Sequence, residues 1–219
     1  MWANSKMSIK PAGKHTKFAE NKHTKYATNE ESEEEEVIEE KIHRENNHIY
    51  FHSEVTRDSI FELTRLIRQA EETCTLTALR YNLPEVPIYL HISSFGGSIF
   101  AAFTAIDVMR TCRVPIHTII EGATASAGTL ISVFGARRYI TKTAYMLIHQ
   151  LSSACWGKMS EIEDEFSNLQ ELMRKIYKIY KRKTTIPKEE LKDLLNHDLW
   201  LNAKQSIEYG LVDEFWTGA

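Results

Sequence analysis

A chain of 219 residues is long enough for one sizeable hydrophobic core, or one core with a tail. Its net charge of −3 gives no global pull toward nucleic acid or an anionic membrane, and no apolar run approaches the roughly 18–20 residues of a membrane span. The first residues, Met1-Trp2-Ala3-Asn4-Ser5-Lys6, form no apolar signal region, and Cys74, Cys112 and Cys155 are too scattered for a disulfide framework or a zinc site. A cytoplasmic, reducing setting is therefore expected, with no metal and no cofactor.

Residues 1–46 differ from the rest. Lys14-His15-Thr16-Lys17-Phe18-Ala19-Glu20-Asn21 is followed by a near copy, Lys22-His23-Thr24-Lys25-Tyr26-Ala27-Thr28-Asn29, and then by an acidic block, Glu30 to Glu40. So little apolar surface cannot offset the entropy of ordering, so 1–46 reads as a disordered arm. It is either a passive tail or a docking arm or removable leader. Residues 47–219 read as the globular part.

His48–His52 reads as a strand, and Ser59-Ile60-Phe61-Glu62 as a capping box opening a helix with Ile60, Leu63, Ile67, Ala70 and Cys74 on one face. Ile88–Ile92 alternates as a strand does. It runs through Ser93-Ser94-Phe95-Gly96-Gly97-Ser98 into a helix ending near Thr111. Val114–Ile120 is the next strand, followed by a second small-residue turn, Gly122-Ala123-Thr124-Ala125-Ser126-Ala127-Gly128, and an apolar helix to about Phe134. Strands at Arg137–Thr141 and Tyr145–Gln150 precede a long amphipathic helix, Lys158 to Lys183, with Ile162, Phe166, Leu169, Met173 and Ile176 on one face. Pro187 suits the first position of another helix, Asn202 with Gln205 caps the last one, and Gly210 ends it. Strands alternating with helices imply an α/β fold with a largely parallel sheet.

Two strand-to-helix turns built of small residues are the raw material of an acyl-transfer site. Glycine lets another group approach the backbone closely, and unpaired N–H groups at a helix start can face a developing oxyanion. On their own, Gly96 and Gly97 read as a plain tight turn, and Ser126 as an ordinary helix-start serine. A serine needs a base, and His149 at the end of an apolar strand is one candidate among nine histidines. An orienting carboxylate is needed too, and Asp198 competes with Asp193 and Asp213.

The ordered blocks Ile92–Gly97, Gly122–Gly128, Met146-Leu147-Ile148-His149-Gln150 and Asp198-Leu199-Trp200-Leu201-Asn202-Ala203, with the later Glu208-Tyr209-Gly210-Leu211-Val212-Asp213, resemble the Clp protease proteolytic subunit (ClpP) family. The likeness runs from about Asn47 to Phe215. It implies a crotonase-like fold of stacked ββα units with a protruding long helix, and a serine peptidase. In it Ser126 is the nucleophile, His149 the general base and Asp198 its orienting acid. The N–H groups of Gly97 and Ala127 form the oxyanion hole, and Ser98 and Ile99 form a strand that pairs with the substrate backbone. The resemblance further implies a homo-oligomer of heptameric rings stacked in pairs through the long helix. Unfolded polypeptides would enter with the help of an AAA+ unfoldase. Phe95 and Leu151 stand where the family usually has proline, and Ala127 where it usually has methionine. Two other readings fit the same residues: a maturation peptidase of viral capsid or scaffold proteins, and a crotonase-type acyl-CoA enzyme.

Overall fold

The computed structural model describes residues 42–218. The lysine-rich repeat, the acidic block and the disorder expected of them lie outside the described residues. Strands β1 (Ile42–Glu45) and β2 (His48–Phe51) form an antiparallel hairpin, with Ile42 opposite Phe51. The expected boundary between residues 46 and 47 therefore falls inside a hairpin, and β1 belongs to the sheet. Its half-buried positions are Ile42 and Arg44, and an arginine hides the alternation. Asn46 makes the turn at φ +56, a left-handed conformation that asparagine tolerates.

From β2 onward the sheet is mostly parallel: β2, β3 (Ile88–Ser94), β4 (Ile116–Ala125), β5 (Arg138–Ile140) and β8 (Glu214–Phe215) lie side by side. These strands bury Ile49, Leu90, Ile92, Ile119 and Ile120, as strands covered on a face by helices must. Strand β4 changes partner along its length. Thr118–Ile120 pair with β5, whereas Ala123–Ala125 pair with β6 (Tyr145–Leu147), which in turn pairs antiparallel with β7 (Leu201–Asn202). Gly122, at φ +56, sits between the two halves, and the register with β3 shifts between Ile92 and Ser94. The strand expected to stop at Ile120 thus runs five residues further and delivers Ser126 beside the strand that leads to His149.

Helix α1 (Arg57–Tyr81) starts earlier than expected. Thr56 is its cap, accepting from the Ser59 N–H, while the Ser59 hydroxyl accepts from the Thr56 N–H. Ser59 is thus the reciprocal partner of the box and not the cap. Helix α2 (Ile99–Thr111) is capped by Ser98, and α3 (Ala127–Ser132) follows Ser126. The long α4 (Met159–Lys183) comes next, then α5 (Lys188–Leu195), with Pro187 one position before its start, and α6 (Ala203–Glu208), with Asn202 and Gln205 in the expected box. Of α4 only Ile176 and Tyr180 are buried, so its C-terminal third docks on the core while its N-terminal part projects. Among the described residues no helix is long and apolar enough to cross a membrane.

Candidate active site

Ser126 lies between β4 and α3 at φ +52, ψ −123, a conformation that costs a non-glycine residue of order 1–3 kcal/mol. Hydrogen bonds on both sides hold it there. Its N–H donates to the Leu147 carbonyl (2.9 Å), and its own carbonyl accepts from the N–H groups of Thr129 (3.0 Å) and Leu130 (3.3 Å) and from the Thr129 hydroxyl (2.6 Å). Although Ser126 occupies the cap position of α3, its side chain makes no capping hydrogen bond. The hydroxyl of an ordinary helix-start serine would be engaged there.

The first turn packs against the second. A Cβ added to Gly96 would stand 2.7 Å from Ser126 Cβ and 3.0 Å from the Ala127 nitrogen. Gly96 and Gly97 have φ +98 and +136, which glycine adopts freely. The Val55 N–H donates to the Gly96 carbonyl and the Ser98 N–H to the Val55 carbonyl, each at 2.7 Å. That parallel bridge uses the flanking peptides and turns the N–H of Gly97 away from Val55. Among the described residues neither the Gly97 nor the Ala127 N–H is engaged.

His149 Nδ1 and Asp198 Oδ1 are 3.0 Å apart. With Nδ1–H donating to the carboxylate, Nε2 keeps its lone pair, the form a general base requires. The Asp198 side chain is 78% exposed, so the pair adds at most about 1 kcal/mol to stability, and what it fixes is the tautomer and ring orientation. Gly97, Ile99, Ser126, Ala127 and His149 all line one narrow cavity of about 20 Å³, whose apolar wall includes Leu130, Ile176 and Tyr180. Gln150 and Leu151 also border it and continue into a wider groove of about 540 Å³ against Phe166, Leu169 and Met173 of α4. Among the described residues Ser126 Oγ is not hydrogen-bonded to His149. Without substrate such contacts are often open and tighten only in the reacting complex.

Ser98 and Ile99, expected as a strand, are instead the cap and first residue of α2. The Ser98 hydroxyl accepts from the Ala101 N–H (3.3 Å), and a helix start rather than a strand satisfies that donor. Thr129 and Tyr180 escape a reading of the sequence. The signal for Tyr180 is its place four residues beyond Ile176, at the end of the α4 apolar stripe.

The family profile described as Clp protease matches residues 32–218. The chain belongs to the Clp protease family. Among curated relatives, the ATP-dependent Clp protease proteolytic subunit 2 of Treponema denticola is 35% identical over 130 residues, 58% of this chain and 65% of the relative. Its counterpart in Treponema pallidum is 32% identical over 128 residues, 58% of this chain and 64% of the relative. The proteolytic subunit 1 of Chlamydia muridarum is 26% identical over 183 residues, 82% of this chain and 90% of the relative. The chain thus spans just under two thirds of the length of the two Treponema relatives. In the turn after the histidine Leu151 donates its N–H to Met173 Sδ on α4 (3.2 Å), a bond that a proline at this position could not make.

Proposed function

We propose that this protein is a serine endopeptidase in which Ser126, His149 and Asp198 act as nucleophile, base and orienting acid. Ser126 Oγ attacks the scissile carbonyl and passes its proton to His149 Nε2, while Asp198 holds the imidazolium that forms. The tetrahedral oxyanion is met by the N–H groups of Gly97 and Ala127, two fixed donors from two turns. Collapse expels the amine, which takes the proton back from His149, and water then hydrolyses the acyl-enzyme by the reverse sequence. Ile99, with Ser98 behind it as the cap of α2, borders the substrate chain. The observation that carries this reading is a strained, uncapped serine sharing one cavity with a histidine already hydrogen-bonded to an aspartate.

The relatives' names, proteolytic subunits of an ATP-dependent Clp protease, support a wider proposal. Copies of this chain form heptameric rings, paired through α4, that enclose the sites and receive unfolded polypeptides from an AAA+ unfoldase. Ser126→Ala is expected to abolish cleavage of a fluorogenic peptide and labelling by a fluorophosphonate, while the assembled mass in native mass spectrometry stays unchanged. A Ser126→Ala protein that cleaves at the normal rate would sink the proposal.

A further inference from the structure

The carbonyl of Ser126 is held by a chain of hydroxyls that reaches into α4. Thr129 Oγ1 lies 2.6 Å from the Ser126 carbonyl oxygen and 2.7 Å from the Tyr180 hydroxyl. The direction of both bonds follows from counting protons. A carbonyl oxygen only accepts, so Thr129 spends its single proton on Ser126, and Tyr180 must donate to Thr129. Tyr180 is 1% exposed, and burial pushes its phenol far above its ordinary range, so it stays a neutral donor. A buried O–H needs an acceptor, and among the described residues this is the one it has. Thr129 is fully buried as well. Both hydroxyls are shielded from bulk solvent, and each bond in such a chain polarises the next.

The consequence lies in the backbone of Ser126. A residue at φ +52 persists only when its surroundings over-determine it. On the amino side the peptide is fixed by Leu147, two residues before His149. On the carboxyl side it is fixed by α3 and by the hydroxyl chain from α4. We propose that Thr129 and Tyr180 are positioning residues that hold the Ser126 elbow in register with His149, and that they tie the nucleophile to the helix α4. This rests on the reading of Ser126 as nucleophile.

The test is steady-state hydrolysis of a fluorogenic peptide by full-length variants, with kcat expressed per site labelled by fluorophosphonate. Thr129→Val removes the donor and is expected to lower kcat about 100-fold with KM within about threefold, the signature of a misplaced reacting group. Tyr180→Phe keeps the ring and its packing, and is expected to lower kcat about tenfold. Thr129→Ser restores the hydroxyl and should stay within about threefold of wild type. Adding Tyr180→Phe to Thr129→Val should cost nothing further, because the chain is already broken. A kcat per labelled site at the wild-type level in both Thr129→Val and Tyr180→Phe overturns the inference, whatever their melting temperatures. So does full additivity in the double variant. If Thr129→Val fails to fold, Tyr180→Phe alone decides. Normal cleavage by Ser126→Ala would mean that the functional reading had failed. An inactive Ser126→Ala beside fully active Tyr180→Phe and Thr129→Val would leave that reading standing and remove this one.

Discussion

At Gly96 the two turns of the site touch, and a single methyl group tests the contact. The missing Cβ would meet Ser126 Cβ at 2.7 Å and the backbone oxygen of Ala125 at 3.0 Å, neither of which can swing aside. Gly96→Ala is therefore expected to cost about 1–3 kcal/mol of stability in urea and to lower kcat at least tenfold by displacing Ser126, the proposed nucleophile. Asp198→Asn should separate function from stability. The exposed pair with His149 contributes at most about 1 kcal/mol to folding, yet an asparagine there favours the wrong imidazole tautomer. Its urea midpoint should barely move while kcat falls about 100-fold or more. A large loss of stability with normal kcat would assign Asp198 a structural role. The turns that carry the glycines and Ser126 were legible because a tight turn demands small residues in succession, but their place in a candidate site was legible only through the family resemblance. His149 and Asp198 were legible only through the ordered blocks of the family, since neither residue type nor spacing picks one histidine of nine. Thr129 and Tyr180 lie 51 residues apart, and nothing local marks two hydroxyls that meet only when α4 docks.

Among the elements, α2 and α4 were legible almost to the residue, and so was the Asn202–Gln205 box of α6, whereas the edge strand β1 and the cap of α1 were not. Ser59-x-x-Glu62 matches the usual capping signature, yet the reciprocal hydrogen bonds join Thr56 and Ser59, a pair without the customary Glu or Gln. Strand β1 hides behind His43, Arg44 and Glu45. On one face of the sheet, β2, β3 and β4 share a polar network that no local pattern announces. His91 Nδ1 lies 2.8 Å from Glu121 Oε1, His48 Nδ1 lies 2.9 Å from His91 Nε2, and His52 Nε2 approaches Glu121 at 3.5 Å. The hydrogen bond from His91 holds the Glu121 carboxyl below its ordinary range, with the charges of His91 and His52 adding to it. Burial pushes His48 and His117 below the ordinary histidine value of 6.5. All three folded-state values are depressed, so the unfolded chain binds protons more readily, and stability present at higher pH is lost on acidification. Unfolding free energy in urea should fall as pH drops below 6.5, where the histidines of the unfolded chain take up protons, and again below 4.5, through Glu121. Glu121→Gln should shrink the second decline, leaving the part that Glu62 and Glu71 contribute through Arg65 and Arg113, and leave the first. A profile that rises on acidification would contradict the assignment.

For the molecule as a whole, the unfinished surface is the projecting part of α4. Trp156 just before it, Met159 at its start and Phe166 further along are 89%, 72% and 61% exposed, and Ile162 is 38% exposed. An exposed apolar stripe of this kind marks an interaction surface, and the same helix carries Tyr180 into the Ser126 cavity. If rings pair through this helix, each pairing buries apolar side chains worth about 1.5–3 kcal/mol apiece. Replacing both Ile162 and Phe166 by glutamate should then weaken pairing by about two to four orders of magnitude for each chain that contributes the helix, since each 1.4 kcal/mol is tenfold. Native mass spectrometry across a dilution series is the measurement. Paired rings should give way to single rings at concentrations where wild type stays paired, while far-ultraviolet circular dichroism stays unchanged because both residues project from the core. Fluorophosphonate labelling of the separated species then shows whether pairing reaches Ser126. Slower labelling of Ser126 in single rings is expected if α4 must be seated for Tyr180 to hold Thr129. Identical labelling in paired and single rings would confine the helix to assembly alone.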